Sequence, residues 1–229
     1  MFRGELADKT MAEATGLEHR VYLPKIIEKA PVFLLLHGRT GSSSVMWPFT
    51  KALQGLDPVI IAPQAPMPDV IGGFSWWEVR TPEQVAARAS TFEELTIPVN
   101  QILDFLNLSA SIYGFGLEQV HVMGFSQGAG VASSIHILHP KTFVSCSMLA
   151  GFLPRLIVEE LNSKKPDLSE YKFFVAHGTL DETIKIERAR AGVNLLKECG
   201  AKVKYIEEDV GHKVGTLAIK GMQEFFLQG

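Results

Sequence analysis

Short apolar runs rich in β-branched and aromatic residues alternate along this chain with segments of helical periodicity, and no other feature of the sequence limits the fold so severely. Seven runs read as strands: residues 20–23, 32–37, 59–63, 120–125, 143–149, 173–177 and 203–207. Six segments read as helices: 45–53, a long span over 91–106, 127–138, 156–161, 187–198 and 216–226, with Gly200 placed to end the fifth. The central strands are apolar at nearly every position, as strands covered on both faces must be. The expected class is therefore α/β, a mostly parallel sheet with helices on both faces. The 229 residues suit one such domain spanning residues 1–229, and there is no internal repeat or low-complexity linker to divide it.

Two stretches exceed a minimal strand–helix alternation. Residues 65–81 hold Pro66, Pro68, Gly72, Gly73 and the pair Trp76 and Trp77; residues 150–168 hold Gly151, Phe152, Pro154 and Pro166. Insertions beyond strand ends often shape the ligand site of an α/β protein. Their aromatics either pad a crossover against the core or wall a pocket, and composition leaves both readings open.

Charge and cysteine usage exclude several classes of function. The 22 Lys and Arg against 25 Asp and Glu leave a net charge of −3, with no basic run to neutralise a phosphate backbone, so no nucleic-acid partner is expected. Cys146 and Cys199 lack the spacing of a disulfide framework or a zinc site and read as free thiols. Glu5 and Asp8 stand where a signal peptide needs an apolar core, and the apolar run at 32–36 is far too short to span a bilayer. The expectation is a soluble, cytoplasmic protein without stable membrane insertion.

Gly124-Phe125-Ser126-Gln127-Gly128 matches Gly-x-Ser-x-Gly, in which a serine occupies a strained turn between strand and helix. Its context agrees, because 120–125 reads as a strand and 127–138 as a helix, and this aims the Ser126 hydroxyl at the positive end of the helix. Such a serine needs a base to take its proton and an acid to orient that base. The turn after the strand at 173–177, Gly178-Thr179-Leu180-Asp181, puts a carboxylate just past a strand end, and His212 occupies the loop between the last strand and the C-terminal helix. Asp181 is the expected acid and His212 the expected base, in the chain order Ser, Asp, His of α/β-hydrolases. Glu182 and Asp209 are the competing carboxylates. His37 and His177 each precede a glycine at a strand end and read as braces for turns. His136 and His139, three apart on a helix, have no further ligand at suitable spacing, so neither a metal nor another cofactor is expected.

Acyl transfer also needs donors for the developing oxyanion. The backbone N–H of Gln127 is the natural first. The strand at 32–36 runs into His37-Gly38-Arg39-Thr40-Gly41-Ser42, whose glycines allow close backbone approach and make the N–H of Arg39 the second. The phosphate-binding patterns Gly-x-x-x-x-Gly-Lys-Ser/Thr and Gly-x-Gly-x-x-Gly are both absent.

With these residues in view, the chain resembles the carboxylesterase and acyl-protein thioesterase branch of the α/β-hydrolases, the phospholipase/carboxylesterase family. The resemblance covers nearly the whole chain. It rests on Leu36-His37-Gly38 with Gly41, Pro63-Gln64-Ala65-Pro66, Gly72-Gly73-Phe74-Ser75-Trp76-Trp77, the Ser126 pentapeptide, Ala150-Gly151-Phe152-Leu153-Pro154, His177-Gly178-Thr179-Leu180-Asp181 and Gly211-His212. It implies an α/β-hydrolase fold without a large separate lid, a triad of Ser126, Asp181 and His212, oxyanion donors Arg39 and Gln127, and an acyl site walled by Trp76 and Phe152. The implied substrate is a small ester. One departure is that thioesterase-like members commonly carry an apolar residue at the position of Arg39, and a guanidinium there argues for short to medium acyl chains rather than a long-chain tunnel. The alternatives are an acyl-protein thioesterase or lysophospholipase-like hydrolase and, outside catalysis, an α/β-hydrolase scaffold used as a ligand receptor. The Trp loop would equally serve as a contact between two copies in a homodimer.

Overall fold

In a computed structural model, residues 2–79 and 92–227 are described, so Thr81, at the end of the first insertion, and Thr91, at the start of the long predicted helix, lie outside the described residues. Among the described residues there are ten strands: β1 (Glu5–Leu6), β2 (His19–Tyr22), β3 (Val32–Leu36), β4 (Val59–Pro63), β5 (Met67–Pro68), β6 (Phe74–Ser75), β7 (Val120–Phe125), β8 (Ser145–Leu149), β9 (Lys172–Gly178) and β10 (Lys202–Glu208). The helices among the described residues are α1 (Lys9–Thr15), α2 (Phe92–Tyr113), α3 (Gln127–Leu138), α4 (Arg155–Lys164), α5 (Ile186–Glu198) and α6 (Thr216–Leu227). Eight strands form one sheet in the order β1-β2-β4-β3-β7-β8-β9-β10, parallel from β4 to β10 and antiparallel at the β1 and β2 edge. This is the expected α/β architecture, and no separate lid stands beside the sheet among the described residues.

Every residue of β3, β4 and β8 is buried, because successive side chains enter opposite layers. Val32, Leu34 and Leu36 pack beneath α2 and α3 with Leu95, Ile102, Val131 and Ile135. Phe33 and Leu35 enter the other layer, with Leu53, Met222 and Phe226. Helix α3 is buried over residues 127–137, which explains a composition of small and apolar residues with almost no charge.

Several elements differ from the sequence reading. The predicted helix at 45–53 is a 3-10 helix, Trp47–Leu53, entered through Trp47 N–H to Ser44 O and Phe49 N–H to Met46 O; Pro48 at its start has no N–H to donate. The long helix extends past residue 106 to Tyr113, since Ser111 turns its hydroxyl back to Asn107 O and Ser109 is buried, and Gly114 at φ 80° then ends it. The N-terminal β1 and α1 were not anticipated. Asp8 caps α1 by accepting Met11 N–H at 2.9 Å, and Gly16 ends it at φ 81°.

The order of the sheet positions the site. From β3 the chain builds outward through β4 on one side and through β7 to β10 on the other, so the direction of winding reverses between β3 and β7. Loops leaving the C-terminal ends of parallel strands diverge at such a reversal and leave a crevice.

Candidate active site

Ser126 stands directly after β7 and caps α3, with φ 52° and ψ −114°, in a left-handed region that a side chain enters only under constraint. The constraint is close packing on all sides. Ser126 N–H is tied to Leu149 O at 2.9 Å, a Cβ on Gly124 would collide with the Gly128 carbonyl, and one on Gly128 with the Leu36 carbonyl. The glycines on either side of the serine therefore let strand, turn and helix touch through their backbones, and the serine hydroxyl projects from the turn.

Two further strand ends deliver the partners of that hydroxyl. Asp181 follows β9, and its side chain is fully enclosed. Its Oδ1 accepts the N–H groups of Thr183 and Ile184, both at 2.9 Å, which fixes the carboxylate. Its Oδ2 lies 2.7 Å from His212 Nδ1, and His212 Nε2 lies 2.9 Å from Ser126 Oγ. A carboxylate only accepts, so Nδ1 carries the proton and Nε2 is left as the acceptor of the serine hydroxyl. The loops bearing Asp181 and His212 are bound together by Thr179 N–H to Glu208 O, by Leu180 N–H to Val210 O, and by the Thr179 hydroxyl, which donates to Asp209 at 2.6 Å. Asp209 is thus an exposed tie between loops, and Glu182 is exposed too.

The histidines read as braces act as such. His37 Nδ1–H donates to Gly38 O at 2.7 Å and Nε2 accepts Ala65 N–H at 2.9 Å; burial pushes its pKa down to about 4 and keeps the ring neutral. His177 Nε2 donates to Ile184 O at 2.7 Å and lies 3.3 Å from Asp181 Oδ2. His136 is enclosed between the rings of Tyr171 and Phe173, away from the site, and no group of three or more His, Cys, Asp or Glu able to hold a metal occurs among the described residues.

A cavity of about 250 Å³ opens beside Ser126 and His212, with Arg39, Gln127, Trp77 and Phe152 in its wall. Among the described residues, neither Arg39 N–H nor Gln127 N–H donates to a backbone carbonyl outside a helix. Phe152 stands in that wall, backed by the Arg188 guanidinium 4.2 Å from its ring centre. Trp76 does not. Its ring is buried, tilts against His37 and donates from Nε1 to His37 O at 2.7 Å, whereas its neighbour Trp77 faces the cavity. Gln127 sets this arrangement, since its Oε1 accepts Trp76 N–H at 2.8 Å and its Nε2 donates to Trp77 O at 3.0 Å. Both indole rings are buried, and the exposed large apolar residues of this loop are Met67, Val70 and Ile71.

The Arg39 guanidinium is not bare. It forms a two-point pair with Asp69, Nε to Oδ2 at 2.7 Å and Nη2 to Oδ1 at 3.1 Å. Asp69 sits on the hairpin of β5 and β6, and nothing in the sequence pairs it with Arg39, although Asp before Gly72-Gly73 is a turn signal. The guanidinium and the Ser75 hydroxyl hold the Asp69 carboxyl well below the usual range, at about 2.

Comparison with known proteins gives the family and the fold. A family profile described as Phospholipase/Carboxylesterase matches residues 18–227. Among curated relatives, the Carboxylesterase SOBER1 of Arabidopsis thaliana is 25% identical over 114 residues, 49% of this chain and 49% of that protein. A protein of Oryza sativa subsp. japonica named "Probable inactive carboxylesterase Os04g0669700" is 25% identical over 146 residues, 61% of this chain and 57% of that protein. The matches thus span about half the length of these relatives. A carboxylesterase from Mesorhizobium loti superposes with a TM-score of 0.78 at 20% identity, covering 99% of both chains, and shows that the fold is shared.

Proposed function

The chain belongs to the phospholipase/carboxylesterase family, and from that premise we propose that it is a serine hydrolase of carboxylic esters with short to medium acyl chains, working through an acyl-enzyme. The observation that carries this reading is the unbroken relay from Ser126 Oγ to His212 Nε2 at 2.9 Å and from His212 Nδ1 to Asp181 Oδ2 at 2.7 Å. In this reading Ser126 Oγ attacks the ester carbonyl while His212 Nε2 takes its proton. Asp181, held by the Thr183 and Ile184 amides, keeps the imidazole in the competent tautomer and stabilises the imidazolium. The N–H groups of Arg39 and Gln127 receive the oxyanion, the second reinforced by the positive end of α3. Collapse of the tetrahedral intermediate returns the proton from His212 to the leaving alkoxide. Water activated by the same imidazole then releases the acid and restores Ser126.

The size of the cavity supports the proposed acyl length. At about 250 Å³ it lies just below the range of about 300–1,000 Å³ that holds drug-sized ligands, which favours a short to medium chain. Trp77, Val79, Phe152 and Ile184 give it apolar walls. The test is hydrolysis of p-nitrophenyl esters from acetyl to palmitoyl, each below its micelle concentration. kcat/KM should climb with acyl length, at about 0.8 kcal/mol per buried methylene, and then fall at short to medium chains. A preference for palmitoyl over butyryl would overturn the short pocket. Hydrolysis undiminished in Ser126→Ala would overturn the nucleophile.

A further inference from the structure

Asp69 accepts four hydrogen bonds from three directions. Oδ2 takes Arg39 Nε and the Ser75 hydroxyl, both at 2.7 Å; Oδ1 takes Arg39 Nη2 at 3.1 Å and Ile71 N–H at 3.2 Å. These donors use every lone pair that a carboxylate offers. The Asp69 side chain is 4% exposed and that of Arg39 21%, so this is a pair largely shielded from solvent at the cavity wall. The hairpin also meets the Arg39 loop through its backbone: Phe74 N–H donates to Gly41 O at 2.9 Å, and a Cβ on Gly73 would strike the Thr40 carbonyl. The same hairpin carries Ile71 into the cavity wall.

We propose that Asp69 is a positioning residue for substrate choice: by clamping Arg39 it cancels the one Lys or Arg side chain that the described residues bring to the cavity wall, holds Ile71 at the mouth, and restricts the site to uncharged esters. The inference rests on the serine-esterase reading and adds the chemical class of its substrate. A carboxylate on the substrate would have to shed its water beside a guanidinium whose charge is already satisfied, whereas an alkyl group loses nothing. Removing the Asp69 charge weakens the preference, because the released guanidinium then becomes a fixed partner for a carboxylate. Replacing Arg39 as well removes that partner and restores the original choice.

Ethyl butyrate and monoethyl succinate, equal in acyl length and differing by a terminal carboxylate, provide the test, with hydrolysis followed by pH-stat titration and folding by thermal melting. The wild type should favour ethyl butyrate in kcat/KM by at least about tenfold. Asp69→Asn should reduce that ratio at least about tenfold, and Arg39→Met with Asp69→Asn should restore it to within about threefold of the wild type. Should Asp69→Asn fail to fold, Asp69→Ser keeps an acceptor for Ile71 N–H and replaces it, with the same expectation. A ratio unchanged in the folded single variant, a double variant as permissive as the single one, or a wild type that prefers monoethyl succinate overturns the assignment while leaving the esterase reading intact. A wild type that hydrolyses neither ester overturns the esterase reading and this inference with it.

Discussion

Replacing His136 with phenylalanine should remove a large part of the acid sensitivity of this fold. His136 lies on α3 with its ring 5.1 Å from that of Tyr171 and 5.0 Å from that of Phe173, both edge-on, and neither ring nitrogen has a hydrogen-bond partner. Burial, aided by nearby His121, pushes its pKa down to about 4. The unfolded chain, with an imidazole near 6.5, binds the proton that the folded chain refuses. The stability contributed by the neutral ring is therefore complete above about pH 6.5 and is lost as pH falls through about 4. Fully developed, the gap is worth about 3 kcal/mol, and by pH 5 about 2 kcal/mol of it has gone. His37 and His121 are likewise pushed down to about 4 by burial, so the three together threaten most of the roughly 5–15 kcal/mol available to a domain. The assay is urea unfolding at pH 7 and pH 5. The wild type should lose stability steeply, and His136→Phe, which keeps the ring contacts, should lose about 2 kcal/mol less over the same interval. Equal losses in the two proteins would refute the burial argument.

Two further outcomes follow from the site. Asp181→Asn should lower kcat at least about a hundredfold with little change in KM, while Asp209→Asn, which only loosens the tie to Thr179, should stay within about threefold; steady-state kinetics on one ester checks both, and the reverse ranking would put the acid at Asp209. Trp77→Ala should move the best acyl length upward, whereas Trp76→Ala should cost about 3–5 kcal/mol of stability and leave the best length unchanged. The ester series together with thermal melts separates the two, and a shifted optimum in Trp76→Ala would contradict the placement of its ring.

The sheet was legible because strands buried on both faces leave an unambiguous trace. Residues 59–63 and 120–125, and the helix at 127–138, appear with the boundaries read from the sequence. The meeting of Ser126, Asp181 and His212 was legible for a related reason, since each stands just past the C-terminal end of a parallel strand and all such ends lie at one edge. What escaped reading depends on contacts between distant segments or on the phase of an irregular loop. Strands of two residues, as at Met67–Pro68 and Phe74–Ser75, are too short to show alternation. Which of Trp76 and Trp77 faces the cavity is decided by two hydrogen bonds from Gln127, some fifty residues away, and no local period encodes that. The pairing of Arg39 with Asp69 is likewise a product of the hairpin folding back on the loop. The missed α1 did leave a signal, Asp8 at its start and Gly16 at its end.

One sequence relative of this chain is named a "probable inactive carboxylesterase", so the chemistry of Ser126 is the point to measure directly. The protein is treated with a fluorophosphonate, which reacts only with an activated hydroxyl, and intact mass and peptide mapping then locate the adduct. The account predicts one adduct per chain, on Ser126, formed at least about a hundredfold more slowly in His212→Ala and absent from Ser126→Ala. A wild type that stays unmodified, or an adduct that persists in Ser126→Ala, would contradict it.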